Sequence, residues 1–144
     1  MTIAPPGIRE KRCFQCRETK PLNDFHVSRA SSDGRNSRCK LCNTAQAAAW
    51  RKQNPDRYLD RYLRRKYGIS LVHYRMFLME QNGRCAVCHR TPEEVGGRHK
   101  LLDVDHNHQT GEVRGLLCTD CNRAIGMLSD DPARLRAAAA YLES

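Results

Sequence analysis

The apolar positions of this chain repeat with a helical period between about residues 40 and 81. The first stretch, residues 40–66, is interrupted where Asn54 can cap a new helix and Pro55 can occupy its first turn. Beyond the glycine that ends this stretch, Ser70 can cap a further helix that runs to about residue 81. We therefore predict three helices in the middle of the chain.

The helix predicted after Pro55 has two chemically different faces. Its apolar side chains recur at helical spacing and are expected to pack inward: Tyr58, Leu59, Tyr62 and Leu63. The other side carries candidate DNA-binding cations: Arg57, Arg61, Arg64, Arg65 and Lys66. A cationic face is either simply solvated or a contact surface for a polyanion. The charge distribution of the whole chain, described below, favours contact with DNA.

Two short apolar segments that flank a polar turn predict a β-hairpin. They occupy residues 101–108 and 113–118 and are separated by a Thr110-Gly111 turn. The second strand leads directly into a pair of cysteines, where a further helix is expected to begin. The hairpin and this helix should therefore be held together at the cysteines.

An alanine-rich segment at the end of the chain predicts a final helix. Ser129-Asp130-Asp131-Pro132 provides a capped start, and the small side chains that follow permit close packing. We expect this helix to close the domain. A contact with a second copy of the chain, which would give a homodimer, is the alternative use of the same helix.

Composition changes the picture because the apolar residues cannot supply one large core. Only 40% of the residues are hydrophobic, with one Trp and three Phe, and the mean hydropathy is -0.73. All eight cysteines fall in CxxC pairs. This spacing lets both sulfurs of a pair reach one tetrahedral zinc, whereas a disulfide framework gives no reason to repeat it four times. The predicted ligands of two structural zinc ions are Cys13, Cys16, Cys39, Cys42, Cys85, Cys88, Cys118 and Cys121.

The charge distribution indicates a polyanionic partner. The formal net charge is +9; residues 1–68 carry 16 Lys and Arg against 6 Asp and Glu, whereas residues 69–144 carry 9 against 10. Nucleic acid is the commonest polyanion for a protein of this kind. We expect no membrane span, because no segment approaches roughly 18 consecutive apolar residues. Cysteines in metal-binding pairs and the lack of a secretory signal predict a cytoplasmic protein.

These patterns divide the chain into four parts. Residues 1–9 are expected to be a disordered lead, because prolines and a glycine interrupt any regular structure there. Residues 10–45 form a four-cysteine zinc module, residues 46–68 a basic helical linker, and residues 69–144 a second module that holds the hairpin. The predicted fold class is α+β.

The hairpin segment carries a pattern that resembles a known nuclease family. Asp105-His106-Asn107-His108, then Val113-Arg114-Gly115-Leu116-Leu117-Cys118, then Cys121-Asn122 is similar to the recombination endonuclease VII family of His-Me finger, or HNH-like, nucleases. The resemblance covers roughly residues 67–144, and a CxxC module with a basic helix also precedes this domain in similar phage-type proteins. It implies a zinc-stabilised ββα-metal nuclease domain that acts on DNA, in the host cytoplasm if the protein is phage-encoded.

Carried over position by position, the resemblance implies a catalytic centre. Asp105 and Asn122 would bind a catalytic Mg²⁺ or Mn²⁺, and His106 would be the general base. Oxygen ligands suit a hard cation, and a histidine that titrates near neutrality can take a proton from an attacking water. We further assign His108 to the phosphate or the metal, and Arg114 to a flanking phosphate.

Within the nuclease class the sequence leaves the substrate open between duplex and branched DNA. It also leaves open whether one or both strands are cut, and in which biological process. The rival from another class is a non-catalytic, zinc-dependent DNA-binding regulator with an inert pocket, and an RNA or toxin nuclease is a third reading. The remaining histidines are expected to be structural or surface residues: His26, His73, His89 and His99.

Overall fold

The chain forms two compact units, Met1–Pro55 and Asp56–Ser144, in a computed structural model that describes residues 10–95 and 101–144. The expected disordered lead at residues 1–9 and the surface residue His99 lie outside the described residues. Helices and short antiparallel strands make up both units. The α+β class predicted from the sequence is therefore confirmed.

From residue 10 onward, the first unit consists of two β-hairpins followed by a helix. In chain order its elements are β1 (Glu10–Arg12), β2 (Thr19–Pro21), a 3₁₀ turn (Leu22–Asp24), β3 (Phe25–Val27), β4 (Arg35–Cys39) and α1 (Lys40–Gln53). Strand β1 pairs with β2, and β3 pairs with β4, both antiparallel. The hairpins bring the two cysteine pairs of this unit together.

The core of the first unit consists of four cysteines and one phenylalanine. Cys13, Phe25 and Cys39 are buried, and Cys16 and Cys42 pack against them. Phe25 is the only large apolar side chain in this cluster. Because one aromatic ring stabilises so small a unit only weakly, its folding depends on what the four thiols bind.

In the described part of the second unit there are four helices and one hairpin. Its elements are α2 (Pro55–Tyr67), α3 (Leu71–Glu80), β5 (Asp103–His106), β6 (Val113–Leu117), α4 (Thr119–Met127) and α5 (Pro132–Glu143). The predicted helix break at Asn54, the Ser70 cap of α3 and the hairpin are all observed. None of the helices in residues 10–95 and 101–144 has the length and apolar character needed to cross a bilayer.

Helix α2 belongs to the second unit and is not a linker. Its Leu63 is 1% exposed and lies in the same apolar cluster as Leu71, Val104 and Leu116. The boundary expected at residue 69 therefore lies at residues 55 and 56. The reason is the apolar face of α2, which needs the hairpin to be covered from water.

Gln81, just after α3, joins that helix to the hairpin. Its Oε1 accepts from the Leu116 N–H at 2.8 Å, and its Nε2 donates to the Leu116 carbonyl at 2.8 Å and to the Arg84 carbonyl at 2.7 Å. A Cβ atom at Gly115 would lie 3.0 Å from the Gln81 Oε1. Because Gly115 has no side chain, Gln81 can approach the backbone of β6 and hold that strand against the end of α3.

The final helix differs from the expectation. Asp131 caps α5 by accepting from the Ala133 and Arg134 N–H groups, but the helix does not close the domain. Leu135 is its only half-buried residue, and Tyr141 and Leu142 are 79% and 84% exposed. Alanine side chains bury little area, so they provide only a weak driving force for docking.

We expect Leu63→Ala to lower the free energy of unfolding of the second unit by about 2–5 kcal/mol, because it leaves a cavity between α2 and the hairpin. Hydrogen exchange of the β5 and β6 amides measures this unit separately from the first. Val72→Ala on α3, where Val72 is 65% exposed, is the control and should change the value by less than about 0.5 kcal/mol. Equal exchange in both variants would show that α2 is a linker after all.

Candidate active site

Each unit has one cluster of four cysteine sulfurs. In each cluster the ligand atoms lie within 4.8 Å of one another, and these are the only groups in the described part of the chain in which three or more His, Cys, Asp or Glu residues have this arrangement. One cluster contains Cys13, Cys16, Cys39 and Cys42, and the other contains Cys85, Cys88, Cys118 and Cys121. Four thiols at this spacing are the donor set that a structural zinc requires.

One thiol in each cluster is easy to ionise. The backbone N–H and the guanidinium of Arg90 lower the pKa of Cys88 to about 6. Burial raises the pKa of Cys13, but N–H groups of Cys39, Cys16 and Gln15 outweigh it and lower the value to about 6. Because the thiolate is the form that binds metal, these two thiols are readily available as ligands, whereas hydrogen bonds with neighbouring thiols and burial raise the pKa values of Cys42 and Cys121.

The second cluster holds the hairpin against α4. Cys118 directly follows β6 and is the N-cap residue of α4, and Cys121 lies in the first turn of that helix. The Ala86 N–H, between the other two cysteines, donates to the Leu116 carbonyl at 3.1 Å. The predicted joining of hairpin and helix at the cysteines is therefore observed.

The register between β5 and β6 shifts beside the predicted catalytic positions. Asp105 pairs with Gly115, whereas His106 pairs with Val113, so that Arg114 is an extra residue on β6. A bulge of this kind bends the strand and re-aims the side chain of the extra residue. Here it directs the guanidinium of Arg114 onto Asp105.

Asp105 is a buried carboxylate, 7% exposed, that is bound on both oxygens by one arginine. Arg114 donates from Nε to Oδ2 at 2.7 Å and from Nη2 to Oδ1 at 2.9 Å. This bidentate pair compensates the cost of burying the negative charge. The hydrogen bond to Asp105 also raises the pKa of Arg114 above its usual value, which keeps the cation charged. Arg114 therefore faces Asp105, and no flanking phosphate is needed to account for its position.

His106, the last residue of β5, lies among other rings. The Tyr67 ring meets it edge-on at a centroid distance of 5.3 Å, and the His108 ring does so at 4.8 Å. His108 was expected to be on the same side of a strand as His106. The two rings are indeed neighbours, although His108 lies in the turn beyond the end of β5.

Asp130 is a member of the site that sequence reasoning missed. Its Oδ2 is 2.6 Å from the Nδ1 of His108, and its Oδ1 is 3.6 Å from the Nη2 of Arg114. Burial raises the pKa of Asp130, but the hydrogen bond with His108 and the charge of Arg114 outweigh it and hold the pKa below its usual range. The sequence did contain one indication of this role: two aspartates, Asp130 and Asp131, precede Pro132, and a helix cap requires only one of them.

Asn122 lies in the first turn of α4, the helix that packs against both strands of the hairpin. It is half-buried, and its side chain makes no hydrogen bond to any residue in 10–95 or 101–144. An amide oxygen without a protein partner is suited to an oxygen-seeking cation. Asp105 on β5 and Asn122 on α4 thus both have oxygens of the type that the predicted metal needs, and those of Asp105 are bound by Arg114 in this structure.

The predicted DNA-binding cations all belong to α2. Arg64 pairs with Asp60 at 2.8 Å, and the Lys66 Nζ lies over the Tyr67 ring, 4.8 Å from its centroid. Within the described ranges, Arg57 and Arg65 take part in no ion pair, and both are exposed. Since Tyr67 also contacts the His106 ring, the basic end of α2 lies beside the candidate catalytic histidine.

Comparison with known proteins assigns the second unit to a family. Residues 60–144 match the family described as recombination endonuclease VII. The Gene 59 proteins of Mycobacterium phages D29 and L5 are 46% and 43% identical to this chain over 77 residues. Each match covers 53% of this chain and 44% of the relative, so the chain spans less than half the length of these relatives.

Among solved structures, the chain is similar to the β-β-α-Me type II restriction endonuclease Hpy99I, at 21% identity and a TM-score of 0.35. That similarity covers 95% of this chain and 66% of the other, but a TM-score this low supports no conclusion about fold or function. The family match, by contrast, includes the whole hairpin and helix α4, and it starts seven residues earlier than the resemblance seen in the sequence, within α2. By this match over more than half of its length, the chain belongs to the recombination endonuclease VII family.

Proposed function

We propose that this protein is a metal-dependent endonuclease that hydrolyses phosphodiester bonds in DNA. The observation that carries the proposal is a continuous chain of contacts at one end of the hairpin: the buried Asp105 binds Arg114, Arg114 faces Asp130, Asp130 binds His108, and the His108 ring meets that of His106. Each of these residues, taken alone, could have a purely structural or surface role. Their meeting in one place, inside a nuclease family domain, favours chemistry.

The donor set at the site fits a hard divalent cation. Asp105 provides a charged carboxylate and Asn122 a neutral amide oxygen, which together leave several coordination positions for water and phosphate. When it is bound, Mg²⁺ or Mn²⁺ would stabilise the charge that develops on the phosphate and on the departing 3′ oxygen. We assign both residues to this cation, and Arg114 would then release at least one Asp105 oxygen.

His106 is assigned as the general base that takes the proton from the attacking water. In its neutral form the imidazole ring has a nitrogen lone pair that can accept this proton. Contacts with Tyr67 and His108 on its ring restrict its rotation, which keeps the accepting nitrogen in place. His108 is then available to contact the phosphate or the metal.

Binding to DNA is assigned to the cationic face of α2. Arg57, Arg61, Arg64 and Arg65 project from a helix whose end contacts the His106 ring through Tyr67. Phosphate contacts from such a face would be largely independent of DNA sequence. They would hold either duplex or branched DNA next to the catalytic histidine. Dimerisation through the exposed α5 stays a prediction, as does action in a host cytoplasm.

The alternative function is a DNA-binding protein with an inert pocket. One observation favours it: both oxygens of Asp105 accept hydrogen bonds from Arg114, which neutralises the residue that a catalytic cation would need. The free side chain of Asn122 favours the nuclease. The two functions are separated by measuring cleavage.

We expect the protein to cut supercoiled plasmid with Mg²⁺ but not with EDTA, and His106→Ala to slow cutting by about 10²–10⁴-fold, because the general base is removed. A four-way junction in parallel reactions reports any preference for branched DNA. The matched control is His73→Ala, which removes an exposed histidine from α3 and should cut normally. Folded wild-type protein that binds both substrates and cuts neither would establish the DNA-binding alternative.

We expect two zinc ions per chain, measured by mass spectrometry of the purified protein. Cys16→Ser should lose the first ion and leave the second unit folded, whereas Cys88→Ser should lose the other ion and loosen the hairpin. Gln15→Ser, between two ligands of the first cluster, is the non-ligand control and should retain both. A zinc content that the cysteine substitutions leave unchanged would contradict this assignment.

We expect Arg57→Gln with Arg65→Gln to weaken DNA binding on all sequences. The slope of log affinity against log salt should become shallower by about 0.9 for each phosphate that the variant no longer neutralises. Arg136→Gln on α5 removes an exposed arginine far along the chain and should leave the slope unchanged. An unchanged slope in the double variant would show that the α2 cations are only solvated.

A further inference from the structure

The turn between α4 and α5 has a conformation that its capping role does not explain. Ser129 and Asp130 both have positive φ, 61° and 55°, which non-glycine residues adopt only rarely. Asp131 alone caps α5, because its carboxylate accepts from the N–H groups of that helix. Asp130 is the neighbouring, chemically identical side chain, and it is directed away from the helix into the candidate active site.

We propose that Asp130 is a positioning residue of the nuclease site, which holds the His108 ring with the proton on Nδ1 and presents Nε2 to the substrate. The proposal rests on the proposed function, and it extends that function to a residue outside the hairpin and outside α4. It assigns Asp130 no contact with the reacting atoms.

The carboxylate and the imidazole have the geometry of a strong hydrogen bond. The Oδ2 of Asp130 lies 2.6 Å from the Nδ1 of His108, which is short for a hydrogen bond between a ring nitrogen and an ionised carboxylate. An ionised carboxylate can only accept, so the hydrogen must be on Nδ1. In a neutral ring the lone pair is then on Nε2, the nitrogen that is free to receive a proton, a hydrogen bond or a metal.

Asp130 is itself anchored by Arg114. Its side chain is 16% exposed, and its Oδ1 is buried without a hydrogen bond, 3.6 Å from the Nη2 of Arg114. Arg114 in turn binds Asp105 on both oxygens, and all three side chains line one cleft of about 250 Å³. Two carboxylates therefore face one guanidinium, and the attraction of Asp130 to Arg114 aims its other oxygen at His108.

A ring contact links His108 to the proposed base. The rings of His108 and His106 meet edge-on with centroids 4.8 Å apart. If the His108 ring could rotate freely, its contact would not restrict the orientation of the His106 ring. Through this contact, a carboxylate that follows α4 would steady both His108 in the hairpin turn and His106 at the end of β5.

The test compares three variants by ¹⁵N NMR of the histidine rings in the full-length, zinc-loaded protein, with His108 assigned by the signal that disappears in His108→Gln. Asp130→Gly removes the acceptor and keeps the backbone conformation, because glycine adopts positive φ freely. Asp130→Asn removes the charge but keeps an oxygen that can accept. Asp131→Asn is the matched control, since asparagine still caps α5.

In the wild type and in Asp131→Asn, we expect neutral His108 to carry its proton on Nδ1. In Asp130→Gly the proton should move to Nε2, which a free imidazole prefers, and Asp130→Asn should keep it on Nδ1. A wild-type His108 with its proton on Nε2, or no change in Asp130→Gly, would overturn the proposal. This measurement requires no cleavage, so it gives an answer even if the proposed nuclease activity fails.

Cleavage of plasmid with Mg²⁺ provides the second readout. Asp130→Gly should lower the rate by roughly 10–100-fold, the usual effect of removing a carboxylate that orients a functional histidine. In a His108→Gln background it should slow cleavage little further, because the residue through which it acts is already gone. An undiminished effect in that background would show that Asp130 acts by another route and would overturn the assignment.

Discussion

Four thiols within 4.8 Å of one another organise the second unit. They come from the loop after α3, from the residue that follows β6 and from the first turn of α4, so that three separate segments meet at one point. The apolar cluster around Leu63, Val104 and Leu116 covers one side of the same hairpin. A hairpin of two short strands is only marginally stable by itself. The cysteine cluster and this small core therefore keep the strands in the register on which the site depends.

Register matters here because one extra residue decides where the arginine points. Without the bulge at Arg114, successive side chains of β6 would alternate between the two faces of the hairpin. With it, the guanidinium lies over the buried Asp105 and within 3.6 Å of Asp130. Gly115 and Gln81 support this geometry, since a Cβ at Gly115 would lie only 3.0 Å from the Gln81 Oε1 and would crowd it. The bulge at Arg114 places the guanidinium between Asp105 and Asp130, and the two carboxylates in turn stabilise the bulge.

Helix α2 shows how one segment can serve both stability and recognition. Its inward face contributes Leu63 to the core, and its outward face presents arginines to solvent. Tyr67, its last residue, contacts the His106 ring. Because the same helix is anchored in the core, cations on its surface have fixed positions relative to the candidate catalytic histidine. A flexible linker could not hold them in this way.

Elements with local signals could be predicted from the amino-acid sequence alone. Helix boundaries at Asn54 and Ser70, the hairpin, the two cysteine clusters and the α+β class are of this kind, because capping residues, strand patterns and CxxC spacing act over a few residues. Membership of the nuclease family was also visible, in the motif around His106. Features that require distant residues to meet emerged only in three dimensions: α2 as part of the core, the exposure of α5, Arg114 bound to Asp105, and Asp130 beside His108. Asp130 and Asp131 are identical and adjacent in the sequence, and only the left-handed turn separates the cap of a helix from a member of the site.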